Sequence, residues 1–268
     1  MFYPNEPIIN ESTIAQHLGD ASQGRVCGTM PRDFNRVPVG SIAGVPAAGD
    51  FPLVPRDEWP DRISQMEREK SRLSDMVEAE GIPALNQEYL SFCWAYSLGG
   101  AAMAMRAQMG LPMVMLSPES IAAPVNGYRD GGNYIGEALT QGTHAGMASV
   151  DFVPHLAVNK RDFKPGWEQD AAKHKILEHT DLGQKDRLMF DRLMTILFAR
   201  FAIPGAHNWW GHSVYAADPV MRKVGNKWIF GTRERNSWGP SYGANGWFVV
   251  DEQYCFDEAY APRAFTQG

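Results

Sequence analysis

The most constraining feature of the chain is a cysteine, Cys93, that stands six residues after a glutamine, Gln87, and opens a long apolar run. A histidine, His212, and an asparagine, Asn236, follow far downstream. The four side chains have the chemistry of a thiol-based acyl-transfer site, since they supply a nucleophile, a base, an amide that orients the base and an amide that stabilises an oxyanion. Because they are far apart in sequence, the chain can form this site only by folding back on itself.

The residues after Cys93 predict a helix over 93–109 with an apolar side. The sulfur would then lie near the positive end of the helix, which favours the nucleophilic thiolate. His212 can take the thiol proton, and the Asn236 carbonyl can fix the imidazole tautomer. The Gln87 amide and the Cys93 N–H are the candidate oxyanion donors.

The remaining pattern predicts an α+β protein, with helices first and strands later. Amphipathic helices are predicted over 61–79 and 184–201, and short strands over 212–217, 227–232 and 246–251. This order indicates a helical lobe followed by a β lobe.

Residues 1–55 differ from the rest in composition. Eight of the eighteen prolines fall in the first sixty positions, so this part cannot form long regular elements. The composition favours an extended arm that packs over a surface or reaches a protein partner in an assembly. The alternative interpretation is a disordered leader.

The motifs resemble those of the papain family of cysteine peptidases. Residues 87–97 are similar to the family's glutamine and Cys-Trp-Ala-Phe-Ser run, with Tyr96 in place of phenylalanine. Residues 211–216 resemble the family's histidine at the start of a strand, and 236–239 resemble its asparagine motif. The resemblance extends over roughly 52–251.

The resemblance implies a papain-like two-lobe fold with the active-site cleft between the lobes. The peptidase domain would occupy 56–268 after the Pro/Gly-rich arm. Its helical left lobe would cover about 84–145 and its antiparallel, β-barrel-like right lobe about 146–251, with a C-terminal tail over 252–268.

The resemblance also implies roles for individual residues. Cys93, His212, Asn236 and Gln87 would be catalytic. The backbone of Gly131 and Gly132 would bind an extended substrate. Trp238 would shield the histidine–asparagine hydrogen bond from water, and Tyr134 and Ser213 would line the main specificity pocket.

Three departures from the family pattern matter. Phe92 replaces a small residue directly before the nucleophile, and a phenylalanine there could narrow or block the cleft. The family's helical inhibitory propeptide is not evident in residues 1–60. Secreted members carry a disulfide that starts three residues before the nucleophile, but here Leu90 takes that position and its expected partner near Arg129 is not cysteine either.

Composition excludes several classes of function. The net charge of −6 argues against broad binding of nucleic acid or anionic membrane, and no run of eighteen apolar residues predicts a bilayer span. The N-terminus has no signal-peptide pattern, and three scattered cysteines do not make a disulfide framework. A reducing compartment such as the cytoplasm is expected, or a virion if the source is viral.

No cofactor and no metal are expected. His207 lies five residues before His212, but no carboxylate or cysteine nearby in the sequence completes a metal site. His174 and His179 lie in a polar segment and are expected to be solvated.

Two functions remain open from the sequence. The first is an active cysteine peptidase that hydrolyses peptide or protein substrates through a thioester acyl-enzyme. The second is a papain-fold structural or docking component of a large assembly such as a viral particle, with weak or no activity. The complete set of four catalytic residue types favours the first, whereas the arm and Phe92 favour the second.

Overall fold

The computed structural model describes residues 6–18, 20, 24–42 and 51–267. Its helices are α1 (Ile14–His17), α2 (Trp59–Glu69), α3 (Leu73–Ala79), α4 (Cys93–Gln108), α5 (Glu119–Val125), α6 (Ile135–His144), α7 (Trp167–Ala171) and α8 (Met189–Phe198). Its strands are β1 (Ile8–Ile9), β2 (Ile176–Gln184), β3 (Ile203–His207), β4 (His212–Val224), β5 (Lys227–Arg235), β6 (Trp247–Asp251) and β7 (Glu258–Phe265). The α+β architecture predicted from the sequence is confirmed.

Helix α4 forms the centre of the helical lobe and is buried on all sides from Cys93 to Arg106. A helix without a solvent-facing stripe is a core helix. It packs against α3, α5 and α6, and on another side against strand β4. Gly100 permits this close approach, because a Cβ atom there would lie 2.6 Å from the Tyr215 ring on β4.

The strands form one sheet in the order β1-β6-β5-β4-β3-β7-β2, in which only the β1–β6 pair is parallel. Within the described residues the end strands β1 and β2 do not pair with each other, so the sheet is open. The stretch assigned from the sequence to a C-terminal tail supplies β7, which lies between β3 and β2.

The sheet topology brings two of the candidate residues together. His212 is the first residue of β4, and Asn236 directly follows β5. Because β4 and β5 are antiparallel neighbours, with Tyr215 paired to Arg235, the start of one strand lies beside the end of the other. The β4–β5 pair therefore holds the imidazole next to the amide.

Two predicted helices differ in extent. The helix predicted over 61–79 is divided into α2 and α3, because Lys70 adopts the left-handed conformation at φ 49° and ends α2. The helix predicted over 184–201 is shortened to α8, since Gln184 still belongs to strand β2.

The expectation that His174 and His179 are solvated is wrong. Only 5% of His174 and 1% of His179 are exposed. His179 is part of strand β2, which pairs with β7 and contacts the N-terminal arm through Asp181. His174 lies in the bend that leads into β2. Within the described ranges, no helix combines the length and the apolar character that a bilayer span requires.

Candidate active site

Cys93 is the first residue of α4, and its side chain is fully buried. Phe92, the residue before it, is also fully buried, and its ring packs edge-on against Trp94 at 6.2 Å within the core of the helical lobe. Phe92 is therefore part of the core, and a different part of the chain covers the candidate nucleophile.

His212 and Asn236 form the hydrogen bond expected of an oriented base. His212 Nε2 lies 2.8 Å from Asn236 Oδ1, and both residues are almost completely buried. Oδ1 also accepts from the Ser237 N–H at 2.7 Å, which identifies it as the amide oxygen. Since an amide oxygen only accepts, Nε2 carries the proton and Nδ1 is the basic nitrogen. Trp238 stacks on the imidazole at 4.3 Å and covers the pair from one side.

Gln87 is buried and fixed by the segment that carries Asn236. Its backbone N–H donates to the Ser237 carbonyl at 2.7 Å, and its Oε1 accepts from the Ser237 hydroxyl at 2.5 Å. The amide nitrogen Nε2 donates to the Leu90 carbonyl at 2.7 Å and to the Val26 carbonyl at 3.1 Å. The candidate oxyanion donor is thus oriented by Ser237 and already bonded to two carbonyl oxygens.

The Val26 carbonyl belongs to the N-terminal arm, which crosses the cleft over Cys93. The Gly28 N–H donates to Cys93 Sγ at 3.2 Å, and the Thr29 hydroxyl lies 3.2 Å from the same sulfur. The Thr29 hydroxyl also hydrogen-bonds the hydroxyl of Ser213, the residue after His212. One arm residue therefore contacts the candidate nucleophile and the strand that carries the candidate base.

The arm pairs by its backbone with both walls of the cleft. On the helical-lobe wall, Asn133 accepts from the Met30 N–H at 3.0 Å and donates to the Gly28 carbonyl at 3.0 Å. On the β-lobe wall, the Thr29 N–H donates to the Gly211 carbonyl at 3.0 Å. These are the bonds of an extended peptide in a groove.

Two glycines make this passage possible. A Cβ atom at Gly28 would lie 2.0 Å from the Ser91 carbonyl oxygen, and one at Gly132 would lie 2.5 Å from the Gly28 carbonyl oxygen. Backbone on both sides leaves no room for a side chain at either position. Gly132 was a predicted substrate-binding residue, and here it lies against the arm.

The other predicted substrate-binding residues lie at different places. Trp238 and Ser213 are beside His212, as described above. The Gly131 carbonyl accepts from Trp94 Nε1 at 3.3 Å. The Tyr134 hydroxyl donates to Glu137 on α6 at 3.1 Å.

Burial governs the protonation of the Cys93 thiol and the His212 imidazole, the two candidate reacting groups. It raises the pKa of the Cys93 thiol, although hydrogen bonds from Thr29 and the backbone oppose the rise. It lowers the pKa of His212 to about 4, although the bond to Asn236 opposes the fall. Near neutral pH both groups are therefore uncharged. Among the described residues, His212 Nδ1 has no hydrogen-bond partner, so the sulfur and the imidazole are not hydrogen-bonded.

Sequence reasoning did not identify the arm residues Val26, Gly28 and Thr29. Their contacts are made mostly by backbone atoms, which leave no motif in a sequence. Ser237 was also missed as the link between Gln87 and Asn236, although it lies inside the asparagine motif. The asparagine motif was the one sequence signal that could have pointed to Ser237.

His207 lies beside the site without forming a metal centre. Its Nε2 is 2.8 Å from Glu234 Oε2, and both side chains are fully buried. In the part of the chain that the structure describes, no three histidine, cysteine, aspartate or glutamate side chains are arranged to hold a metal ion.

The fold is that of the papain-like cysteine proteases. Similar solved structures include the digestive procathepsin L 3 of the Tenebrio molitor larval midgut, with a TM-score of 0.60, 16% identity, and coverage of 94% of this chain and 88% of that one. Xylellain, a cysteine protease from Xylella fastidiosa, has a TM-score of 0.53 and 18% identity over 69% of this chain and 82% of its own. The proform of the ragweed pollen cysteine protease Amb a 11 has a TM-score of 0.54 and 17% identity over 67% and 61%, respectively.

At sequence identities of 16–18%, the similarity to these structures shows the fold alone. No protein-family model and no curated protein matches the chain.

Proposed function

We propose that the chain is a cysteine peptidase that hydrolyses peptide bonds through Cys93 and is held latent by arm residues 25–30. One observation carries the proposal: the Thr29 hydroxyl lies against the Cys93 sulfur at 3.2 Å and bonds the residue next to His212. The Ser213 backbone also hydrogen-bonds the sulfur, so the sulfur lies beside the start of the strand that carries His212. An extended peptide in the place of Thr29 would lie beside a nucleophile and an oriented base.

The chemistry follows from the orientation of each group once the arm has left the cleft. His212 Nδ1 takes the thiol proton, and Sγ attacks the substrate carbonyl carbon. Gln87 Nε2 and the Cys93 N–H donate to the resulting oxyanion. The intermediate collapses to a thioester as the imidazolium gives its proton to the leaving amine. A water molecule, deprotonated by His212, then attacks the thioester and releases the acid and the free thiol.

The covered cleft supports latency for three reasons. The arm accepts the hydrogen bond of Gln87 Nε2 that an oxyanion would need. It donates to the sulfur that must attack. It also keeps His212 and Cys93 away from water, which disfavours the ion pair on which thiol catalysis depends. Two of the similar structures are described as precursors, procathepsin L 3 and the Amb a 11 proform, which agrees with this proposal.

The substrates would be peptides or proteins. The docking alternative rests on the same arm, because a permanently filled cleft would make the chain a binding component without activity. The comparisons give no support to a place in a viral particle or other assembly.

The test uses the full chain with Gly28→Leu, since a side chain at position 28 collides with the Ser91 carbonyl and must move the arm. Wild type, Gly28→Leu and Gly28→Leu with Cys93→Ala are incubated with a peptide library, and products are read by mass spectrometry. We expect cleavage by Gly28→Leu alone. The modification of Cys93 by an epoxide probe is measured in parallel, with Cys255, which is 4% exposed, as the internal reference.

Absence of cleavage by Gly28→Leu, with Cys93 readily modified, would contradict the peptidase proposal and favour the docking role. Equal, slow modification of Cys93 and Cys255 in Gly28→Leu would contradict the proposal that the arm covers a reactive thiol.

A further inference from the structure

Arg32 lies two residues beyond Met30, the arm residue that bonds the cleft wall, and its side chain is completely buried. We propose that Arg32 is a latch: its bonds to the Asp181 side chain on β2 and the Tyr260 hydroxyl on β7 keep arm residues 26–30 over Cys93, and loss of the ion pair with Asp181 releases them. This inference rests on the proposed function, because it concerns the regulation of the same cleft.

Every N–H of the guanidinium has an acceptor. Nη1 and Nη2 donate to the two Asp181 oxygens at 3.1 and 3.0 Å, a bidentate pair. Nη1 also donates to the Tyr260 hydroxyl at 2.7 Å. Nε donates to the Val37 carbonyl at 2.8 Å and Nη2 to the Pro38 carbonyl at 2.7 Å. These five donors exhaust the capacity of an arginine, so the site is built for this side chain.

Asp181 serves more than Arg32. Its side chain is completely buried on β2, and it also accepts from the Gly40 N–H and the Gly183 N–H, each at 3.0 Å. It therefore joins two points of the arm, Arg32 and Gly40, to the sheet. Removing either charge would leave the other buried without a partner, which is far more costly than losing an exposed ion pair.

The other end of the crossing segment is held differently. Arg25 is 39% exposed, and its ion-pair partner Asp20 belongs to the arm itself. Its contacts with the body are the faces of Trp238 and Tyr242, at 5.4 and 5.3 Å. Asp20 adds a hydrogen bond from Trp210 Nε1 at 3.0 Å. Within described residues 24–42, the ion pair between arm and body is that of Arg32 with Asp181, and further upstream Glu6 pairs with Arg233.

The neighbourhood of the latch is otherwise acidic and aromatic. Glu258 accepts a hydrogen bond from the Tyr260 hydroxyl, and the Arg32 guanidinium lies over the Phe34 ring at 4.6 Å. No body cation pairs with Asp181 among the described residues, so Arg32 supplies the charge that compensates this carboxylate.

The test measures the rate at which iodoacetamide labels Cys93 in full-length variants, site by site, by mass spectrometry. The variants are Arg32→Met and Asp181→Asn at the latch, Arg25→Met at the other end, and Arg36→Met as the matched control. Arg36 is exposed and belongs to the same arm. Cys255, buried in the β lobe, reports global unfolding in every sample.

We expect Arg32→Met and Asp181→Asn to raise the Cys93 labelling rate at least ~100-fold, as the loss of one partner of a buried pair predicts. Arg25→Met should raise it about tenfold or less, and Arg36→Met less than about twofold. Cys255 should label at the wild-type rate throughout.

An unchanged Cys93 rate in Arg32→Met would overturn the latch, and so would an equal rise in Arg36→Met. A parallel rise at Cys255 would also overturn it, because Arg32 would then hold the whole fold rather than the arm. Peptide cleavage by Arg32→Met is measured separately. Fast labelling of Cys93 without cleavage would support the latch and contradict the peptidase proposal. Cleavage without faster labelling would support the peptidase proposal and contradict the latch.

Discussion

The two halves of the cleft are held in different ways. On the body side, Gln87, His212 and Asn236 are bonded to one another through the segment that contains Ser237, and all of them are buried. On the arm side, Val26 and Gly28 use backbone groups, and Thr29 uses both its backbone N–H and its hydroxyl. The bonds that join these three body residues involve no arm residue, while the backbone contacts of the arm are those that many extended peptides can make. In the proposed peptidase, catalysis and latency would therefore be separable properties.

The largest expected effect tests the body side alone. In a chain whose arm has been displaced by Gly28→Leu, Cys93→Ala should lower peptide cleavage at least ~1,000-fold, because it removes the nucleophile. The matched control is Cys255→Ala, a buried cysteine outside the cleft. Cleavage rates are measured by chromatography of product peptides. Comparable activity in Cys93→Ala would show that the body side is not the catalytic machinery.

A smaller loss is expected from the orienting amide. Asn236→Ala in the arm-displaced chain should lower kcat about 100-fold with little change in KM, since the imidazole loses the acceptor that fixes its tautomer. Asn226→Ala, in the exposed turn between β4 and β5, is the control and should behave like its parent. A larger effect on KM than on kcat would contradict the orienting role.

The contact between the halves can be loosened from the body side. Gly132→Ala places a Cβ atom 2.5 Å from the Gly28 carbonyl oxygen and should raise the labelling rate of Cys93 about tenfold in the otherwise wild-type chain. Gly131→Ala is the neighbouring control, because its nearest atom is the flexible Asn126 side chain at 3.3 Å. Equal rates in the two variants would mean that the arm does not lie tightly against Gly132.

The smallest expected effect is on pH dependence. The pKa of His212 is lowered from 6.5 to about 4 in the covered cleft, so the covered state binds fewer protons than an open state in which the imidazole meets water. The covered state is therefore fully stabilised above pH 6.5, and it loses stability as pH falls from 6.5 towards 4. Lowering the pH from 7.5 to 6 should increase the open fraction about fourfold.

NMR of the His212 imidazole checks the premise of this prediction. The ring should remain neutral at pH 5.5 in wild type and titrate higher in Gly28→Leu. A midpoint near 6.5 in wild type would mean that the arm does not exclude water from the imidazole.

The sequence predicted the body side far better than the arm. The helix start at Cys93, the strand start at His212 and the amide at Asn236 are marked by side-chain motifs, and the two-lobe fold followed from them. The covering role of residues 25–30 could not be predicted, because most of its hydrogen bonds are made by backbone atoms, and a single glycine and a single threonine form no recognisable motif. The Arg32–Asp181 pair joins residues far apart in the chain, and no local pattern connects them.

The prediction about Phe92 shows a related limit. A sequence states that a phenylalanine precedes the nucleophile, but not towards which side its ring turns. The ring packs with Trp94 in the core of the helical lobe. The burial of α4 on all sides decides this, and that burial depends on the tertiary arrangement.

The position of β7 between β3 and β2 has a consequence for biosynthesis. Tyr260, one of the groups that receive Arg32, lies on this strand. A ribosome makes Arg32 long before it makes Tyr260, so the nascent arm has no complete receptor until β7 has been synthesised. The full set of Arg32 bonds can therefore form only after β7 has entered the sheet.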